Sequence, residues 1–533
     1  MSTLIISCTK EVKHGVASKD ELYLYLDSLE QRYESACEEI RLHEWETGSS
    51  ESLNSRQVLA TIFLDTAIQN TIEEWRNRSS SLADKPLARR LELWHRAFIG
   101  GSISYDSLIV ARSAVLPHRA SDELSLSNEV FTPENKFLRQ MQKEKSRPRR
   151  HKSWMVLNQT SDPELSDYIN LVKAFNEKAR SYGFPNYYSL VLYLQGIDEQ
   201  WLIRTIQTLE TLSKPDYERI VSASKKKYRL KNFTPWDIPL ISPEQPMPSA
   251  KYFPSDSALN ITTRFEKEIG FPVDSSPISV RVIKNATSST SYDCSIPKDV
   301  RITIGAGTGI EKYFSDLSAW GEALRFASTH VEYPILKGYG LVNGVYNPAY
   351  YRGIAQFHGG FVFDSSWIDI VLHPKNVRLL LRKKSTGAVT ELRHALVTLS
   401  VEYELYKNPE QNLDSLEDAI RKSILFTDTS IHEPTIFILR PQFVSSPANS
   451  HTGLLADMIA AQLDEARMSK FGSDKPTNPQ IAKWLVNNLY KSGETLEWYE
   501  RIRNATGKSV EPGAYLRKLG IEQMNLITKD IKE

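Results

Sequence analysis

The stretch 311-EKYFSDLSAWGEALRFASTH-330 reads as a helix that offers no metal-ligand pair. Two histidines four residues apart would aim both imidazoles at one ion, and this segment has only His330, at its end. Outward from it, apolar residues recur at three- and four-residue intervals over 20–46, 54–78, 84–99, 163–181, 198–213, 387–406, 413–424, 453–470, 477–491 and 494–505. Two β-like runs, 278-ISVRVI-283 and 300-VRITIG-305, enclose a polar turn region. The expected fold is mainly α with one small β-sheet. No internal repeat and no Gly/Ser-rich linker divides the chain, so 1–533 is expected to form a single helical domain.

Composition narrows the function classes. Lys and Arg number 66 against 65 Asp and Glu in 533 residues, so no global field points to nucleic acid or acidic lipid. The basic run 143-KEKSRPRRHK-152 and the trio Lys225, Lys226 and Lys227 are expected to be solvated, charged surface. Cys8, Cys37 and Cys294 have no spacing suited to a zinc cluster or a disulfide framework. The short apolar run near the start falls below a signal-peptide core and no later segment approaches a membrane span, so a cytoplasmic protein with neither nucleic-acid nor membrane partners is expected.

Several segments resemble the helical zinc peptidases related to angiotensin-converting enzyme and the neighbouring oligoendopeptidases. They are 183-GFPNYYSL-190, 270-GFPVD-274, 291-SYDCSIPKDVRI-302, 353-GIAQFHGGFVFDSSWI-368, 454-LLADMIAAQL-463 and 493-GETLEWYERIRNATGKSVEPGAYLRKLG-520. Their order matches the family from about residue 160 onward. The resemblance implies a two-lobed helical ellipsoid with a deep central cleft, the small sheet at the cleft edge. Residues 1–160 would form an N-terminal lid or lobe, and 161–533 a core lobe with degenerate active-site helices.

Peptidases of this gluzincin type hold zinc with three protein ligands and an open position for water. GEALRF, 321–326, resembles the family's Gly-His-Ala-Leu-His-Phe, which puts Ser318 and Glu322 at the His positions and Ala319 at the general base. A register shifted by one puts Ala319 and Ala323 at the ligands and Trp320 at the base, and neither restores the His-Glu-x-x-His chemistry. The counterpart of the third ligand, a Glu in the family, is Arg352, which would repel a divalent cation. An Arg352–Glu322 ion pair across the vacated site is expected, with a Glu322–Arg325 pair along one helix as the alternative. The family's two oxyanion-stabilising Tyr correspond to Ser450 and Gly453, with His451 between them. Cys294 matches a family Cys and is expected to pack near the cleft rim. No metal and no other cofactor is expected.

Two functions follow from the resemblance. In the first, a pseudopeptidase holds a peptide, a peptide-like metabolite or a protein segment, the strand 300-VRITIG-305 pairing with an extended backbone and Arg301, Arg352 and His451 serving as ligand-binding candidates. In the second, a repurposed metal-free enzyme acts on an amino-acid or peptide-like metabolite, such as one in a biosynthetic pathway, with Glu322, Tyr351, Arg352, His358 and His451 as candidate acid, base and anchoring groups. An active zinc peptidase ranks third.

Overall fold

The computed structural model describes residues 16, 18–48, 53–79, 84–116, 141–157, 162–241, 250–372, 385–428, 443 and 445–521. Numbering helices of eight or more residues, the first half runs α1 (Lys19–Thr47), α2 (Leu53–Leu64), α3 (Thr66–Ser79), α4 (Lys85–Ser104), α5 (Ser107–Val115), α6 (Arg147–Leu157), α7 (Asp162–Ser181), α8 (Tyr187–Leu194), α9 (Glu199–Tyr228) and α10 (Ala258–Glu268). Strands β1 (Ile278–Val282), β2 (Thr290–Ser295) and β3 (Asp299–Ile304) follow. The second half runs α11 (Gly309–Ala327), α12 (Pro348–Gly360), α13 (Ser385–Lys407), α14 (Leu413–Leu425), α15 (His451–Phe471) and α16 (Trp498–Thr506). The architecture is mainly α with one three-stranded sheet, as the periodicity predicts.

Capping side chains set the helix starts. Ser18 and Glu21 form a capping box at α1, and the Asp198 carboxylate accepts the Trp201 N–H at 2.6 Å to open α9. Asn347 accepts the Tyr350 N–H at 2.9 Å with Pro348 at the first helical position, so α12 starts where proline costs no hydrogen bond. The periodic stretch 54–78 breaks into α2 and α3 because Asp65 accepts the N–H groups of Ala67 and Ile68, at 2.8 and 3.2 Å. Conversely, α9 runs through Pro215 and does not stop at 213. The carbonyl left without a donor belongs to Thr211, which is exposed and can bond water.

The sheet corrects one expectation. Its order is β1-β3-β2, with β1 parallel and β2 antiparallel to β3. Residues 300–304 of the predicted run therefore lie in the middle strand, whose two sides are already paired and cannot accept a peptide. The polar segment between the two predicted runs contains the missed strand, β2, which is an edge. Cys294 lies within β2 and is buried, its thiol pushed up to about 12 by burial. The basic run also differs from expectation, because Arg147 and Arg150 on α6 converge on the buried Asp237 at 2.9 and 2.8 Å, and Arg150 is itself buried.

The core centres on α12, which is buried on nearly every side between α11 and α15. Bare α-carbons make this possible. A Cβ on Gly321 of α11 would lie 2.4 Å from the His358 ring, and one on Gly353 of α12 would lie 2.7 Å from the Ile459 side chain of α15. His358 cannot move aside, since its ring nitrogens contact Glu266 and the Tyr490 hydroxyl, each at 3.0 Å. Overpacking costs about 1–3 kcal/mol, whereas replacing glycine by alanine within a helix returns at most about 1 kcal/mol. We predict that Gly321→Ala and Gly353→Ala each lower the unfolding free energy by a net ~1 kcal/mol, read as a lower urea midpoint at unchanged slope. An unchanged midpoint in both would mean that backbone contact does not set this helix spacing.

Candidate functional site

A cavity of about 1430 Å³ opens against α11, α12, α13, α15 and the β2 edge, and reaches Arg41 and Glu44 of α1. Each helix presents residues one turn apart. Glu322 and Phe326 come from α11, Arg352 and Gln356 from α12, Gly453 and Asp457 from α15, and Thr398 and Glu402 from α13. Ser291, Tyr292 and Asp293 of β2 complete one side.

Glu322 accepts a hydrogen bond from the Ser291 hydroxyl at 2.5 Å. Burial raises its pKa, opposed by Arg325 and then by Ser291. The expected Arg352–Glu322 ion pair does not form within 4.0 Å among the described residues. The charges instead sort by helix face. Arg325, on the same helix, is the cation Glu322 feels most, although its guanidinium centre lies over the Tyr351 ring at 3.5 Å. Arg352 shares the cavity with Asp457 on α15, the carboxylate whose charge acts on it and a residue that sequence reasoning did not single out.

The other predicted positions divide between cavity and core. Ser318 packs its hydroxyl against Gly359, and Ala319 and Ala323 are buried, so of the two registers only the one that includes Glu322 puts a position on the cavity. Tyr351 lines the cavity, but its hydroxyl donates to the Gly338 carbonyl at 2.9 Å and contacts the Glu494 carboxylate at 3.0 Å. His358 is buried in its pair with Glu266. Arg301 is held by Asp299 at 2.7 Å and lies over the Trp45 ring at 4.5 Å. Ser450 and Gly453 both line the cavity, and a Cβ on Gly453 would meet only the Arg352 guanidinium, 3.9 Å away.

Glu402 was missed, although it is an acid on the apolar face of a helical stretch. Its carboxylate accepts the Ala448 and Ser450 N–H groups at 2.8 and 2.9 Å, closing the N-terminus of α15. Burial nevertheless raises its pKa to about 7. Asp457 had the same signal, a single acid within 454-LLADMIAAQL-463. Among the described residues no three His, Cys, Asp or Glu side chains come together as a metal-binding group, and no helix is long and apolar enough to cross a membrane.

His451 is fully buried behind the cavity wall. The Tyr188 hydroxyl meets Nδ1 at 3.1 Å and Gln195 Oε1 meets Nε2 at 2.8 Å, an arrangement that suits a neutral ring protonated at Nε2. Burial lowers its pKa to about 3. The unfolded chain, with a histidine pKa near 6.5, binds this proton first as pH falls, so the neutral ring's contribution is present above pH 6.5 and is lost on acidification towards 3. At ~1.4 kcal/mol per unit, about 2 kcal/mol of stability should be gone by pH 5. We predict that His451→Gln flattens the loss of stability between pH 6.5 and 4.5 in urea titrations, and an unaltered profile would show that the ring is already charged in the folded state.

No protein-family model and no curated protein sequence matches this chain. Solved structures do share its fold. Metallocarboxypeptidase 1 of Trypanosoma cruzi superposes with a TM-score of 0.61 at 14% identity, over 93% of this chain and 98% of that one. A carboxypeptidase of Pyrococcus furiosus gives 0.63 at 13% identity, over 95% and 99%. A putative oligoendopeptidase F gives 0.64 at 13% identity, over 95% and 93%. The peptidase-like fold that the motifs imply is therefore present along almost the whole described chain.

Proposed function

We propose that this chain is a peptidase-fold protein that holds a peptide or peptide-like small molecule in its central cavity without zinc-dependent hydrolysis. The observation that carries this reading is the donor set. A resident metal of the kind a metallocarboxypeptidase fold implies needs about three convergent donors, and among the described residues no three His, Cys, Asp or Glu side chains converge. On the cavity side of α11 and α12 the carboxylates Glu311 and Glu322 stand about three turns apart, Glu322 flanked by the Ser291 hydroxyl and Arg325. The guanidinium of Arg352 stands on the same cavity, where a cation would be repelled. These residues do not fit a divalent ion, and no step is assigned to one. The cavity has room for several residues of peptide, and β2, not β3, is the strand whose edge position suits pairing with an extended backbone. Its lining draws on both 1–160 and 161–533, in keeping with one unit built from two lobes around a cleft.

A second reading, a repurposed metal-free enzyme, is favoured by Glu402, whose carboxyl at about 7 is poised to take or give a proton near neutrality. It stands on α13, apart from Glu322 on α11 and Asp457 on α15.

We predict that the purified protein, loaded with zinc and freed of excess, retains well under one equivalent, and that binding of unstructured peptides by calorimetry survives chelation. Stoichiometric zinc that is lost in Glu322→Ala, together with chelator-sensitive peptide cleavage, would sink the first reading. Chelator-resistant turnover abolished by Glu402→Gln would replace it with the second.

A further inference from the structure

Arg352 and Asp457 are opposite charges on one cavity that do not close on each other. Each lies near enough for its charge to oppose the other's pKa shift, yet among the described residues neither makes an ion pair within 4.0 Å. Arg352 Nε is buried with no hydrogen-bond partner. Burial lowers the pKa of Arg352 and raises that of Asp457, so both charged forms are under-compensated in the free protein. Beside them stand Gln356, one turn beyond Arg352, and Lys518; the Gln356 side chain and the Lys518 charge both favour the Asp457 carboxylate, without offsetting the effect of burial. Gly453 keeps the guanidinium face open, because any larger side chain there would begin 3.9 Å from Nη1. Leu454, Tyr515 and Leu519 add apolar surface.

An anion alone would satisfy Arg352 but crowd the Asp457 carboxylate, and a cation alone would leave Arg352 without a partner. A ligand carrying both signs a few ångströms apart compensates the two together. We infer that Arg352 and Asp457 form a zwitterion subsite that takes the α-carboxylate and α-ammonium of a free amino acid, the carboxylate on the guanidinium and the ammonium on Asp457. This rests on the proposed ligand-holding role of the cavity and narrows its ligand from peptides in general to a free α-amino acid. A peptide interior has neither charge, and a peptide terminus has only one.

The test uses the full chain in calorimetric titrations with the twenty L-amino acids. The tightest binder is then compared with its N-acetyl and carboxamide derivatives and with a peptide blocked at both ends. The zwitterion is expected to bind at least about tenfold more tightly than either one-ended derivative, in line with the strength of a single charge-assisted hydrogen bond. Asp457→Asn should erase the penalty for N-acetylation and Arg352→Gln the penalty for amidation, with each variant's thermal midpoint checked first. The derivative comparison on the unaltered protein decides the matter even if a variant fails to fold. Amino acids that bind no better than their blocked derivatives, or not at all at millimolar concentration, overturn the subsite. If the blocked peptide alone binds, the peptide-holding role stands and only the zwitterion inference falls. If nothing binds, both fall.

Discussion

Helix-to-helix contact through glycine governs this molecule. Where Gly321 meets the His358 ring and Gly353 meets Ile459, backbones approach to a distance that no side chain would allow, and α11, α12 and α15 become one block. His358 joins that block to α10 through Glu266 and to the segment before α16 through Tyr490. The cavity is what remains along the outer face of this block once α13, α1 and β2 close around it. Its chemistry follows from which helix positions the close packing leaves facing outward.

That logic separates what the sequence made legible from what it did not. Three- and four-residue periodicity is a local property, and it located α4, α7, α13, α14 and α15 because apolar residues recur at those intervals through each. Strand β2 escaped because 290-TSYDCS-295 is mostly polar and small, its place fixed by β3 and α1 and not by its own pattern. Pro215 misled in the other direction, since an exposed carbonyl tolerates losing its donor.

The site was legible in outline only. Resemblance picked out Glu322, Arg352, Ser450 and Gly453, and all four line the cavity. It could not say how the helices are rotated, so Arg352 is matched to Glu322 on α11 when the carboxylate whose charge acts on it is Asp457 on α15. His358, His451 and Arg301 looked chemical in the sequence, yet each is fully engaged in structural contacts. Asp457 and Glu402, single acids in apolar helical stretches, carried the more telling signal. A charge on a face that should be apolar is retained only when something nearby compensates it.

The Gly353–Ile459 contact also fixes a length. Because it locks α12 to α15 by backbone approach, the span between Arg352 and Asp457 is set by the helices that carry them and varies only with the side chains' own rotamers. Such a pair acts as a ruler. In α-, β- and γ-amino acids the distance between the two charges grows by one carbon at a time, so relative affinity along that series reads the separation of α12 and α15 in solution.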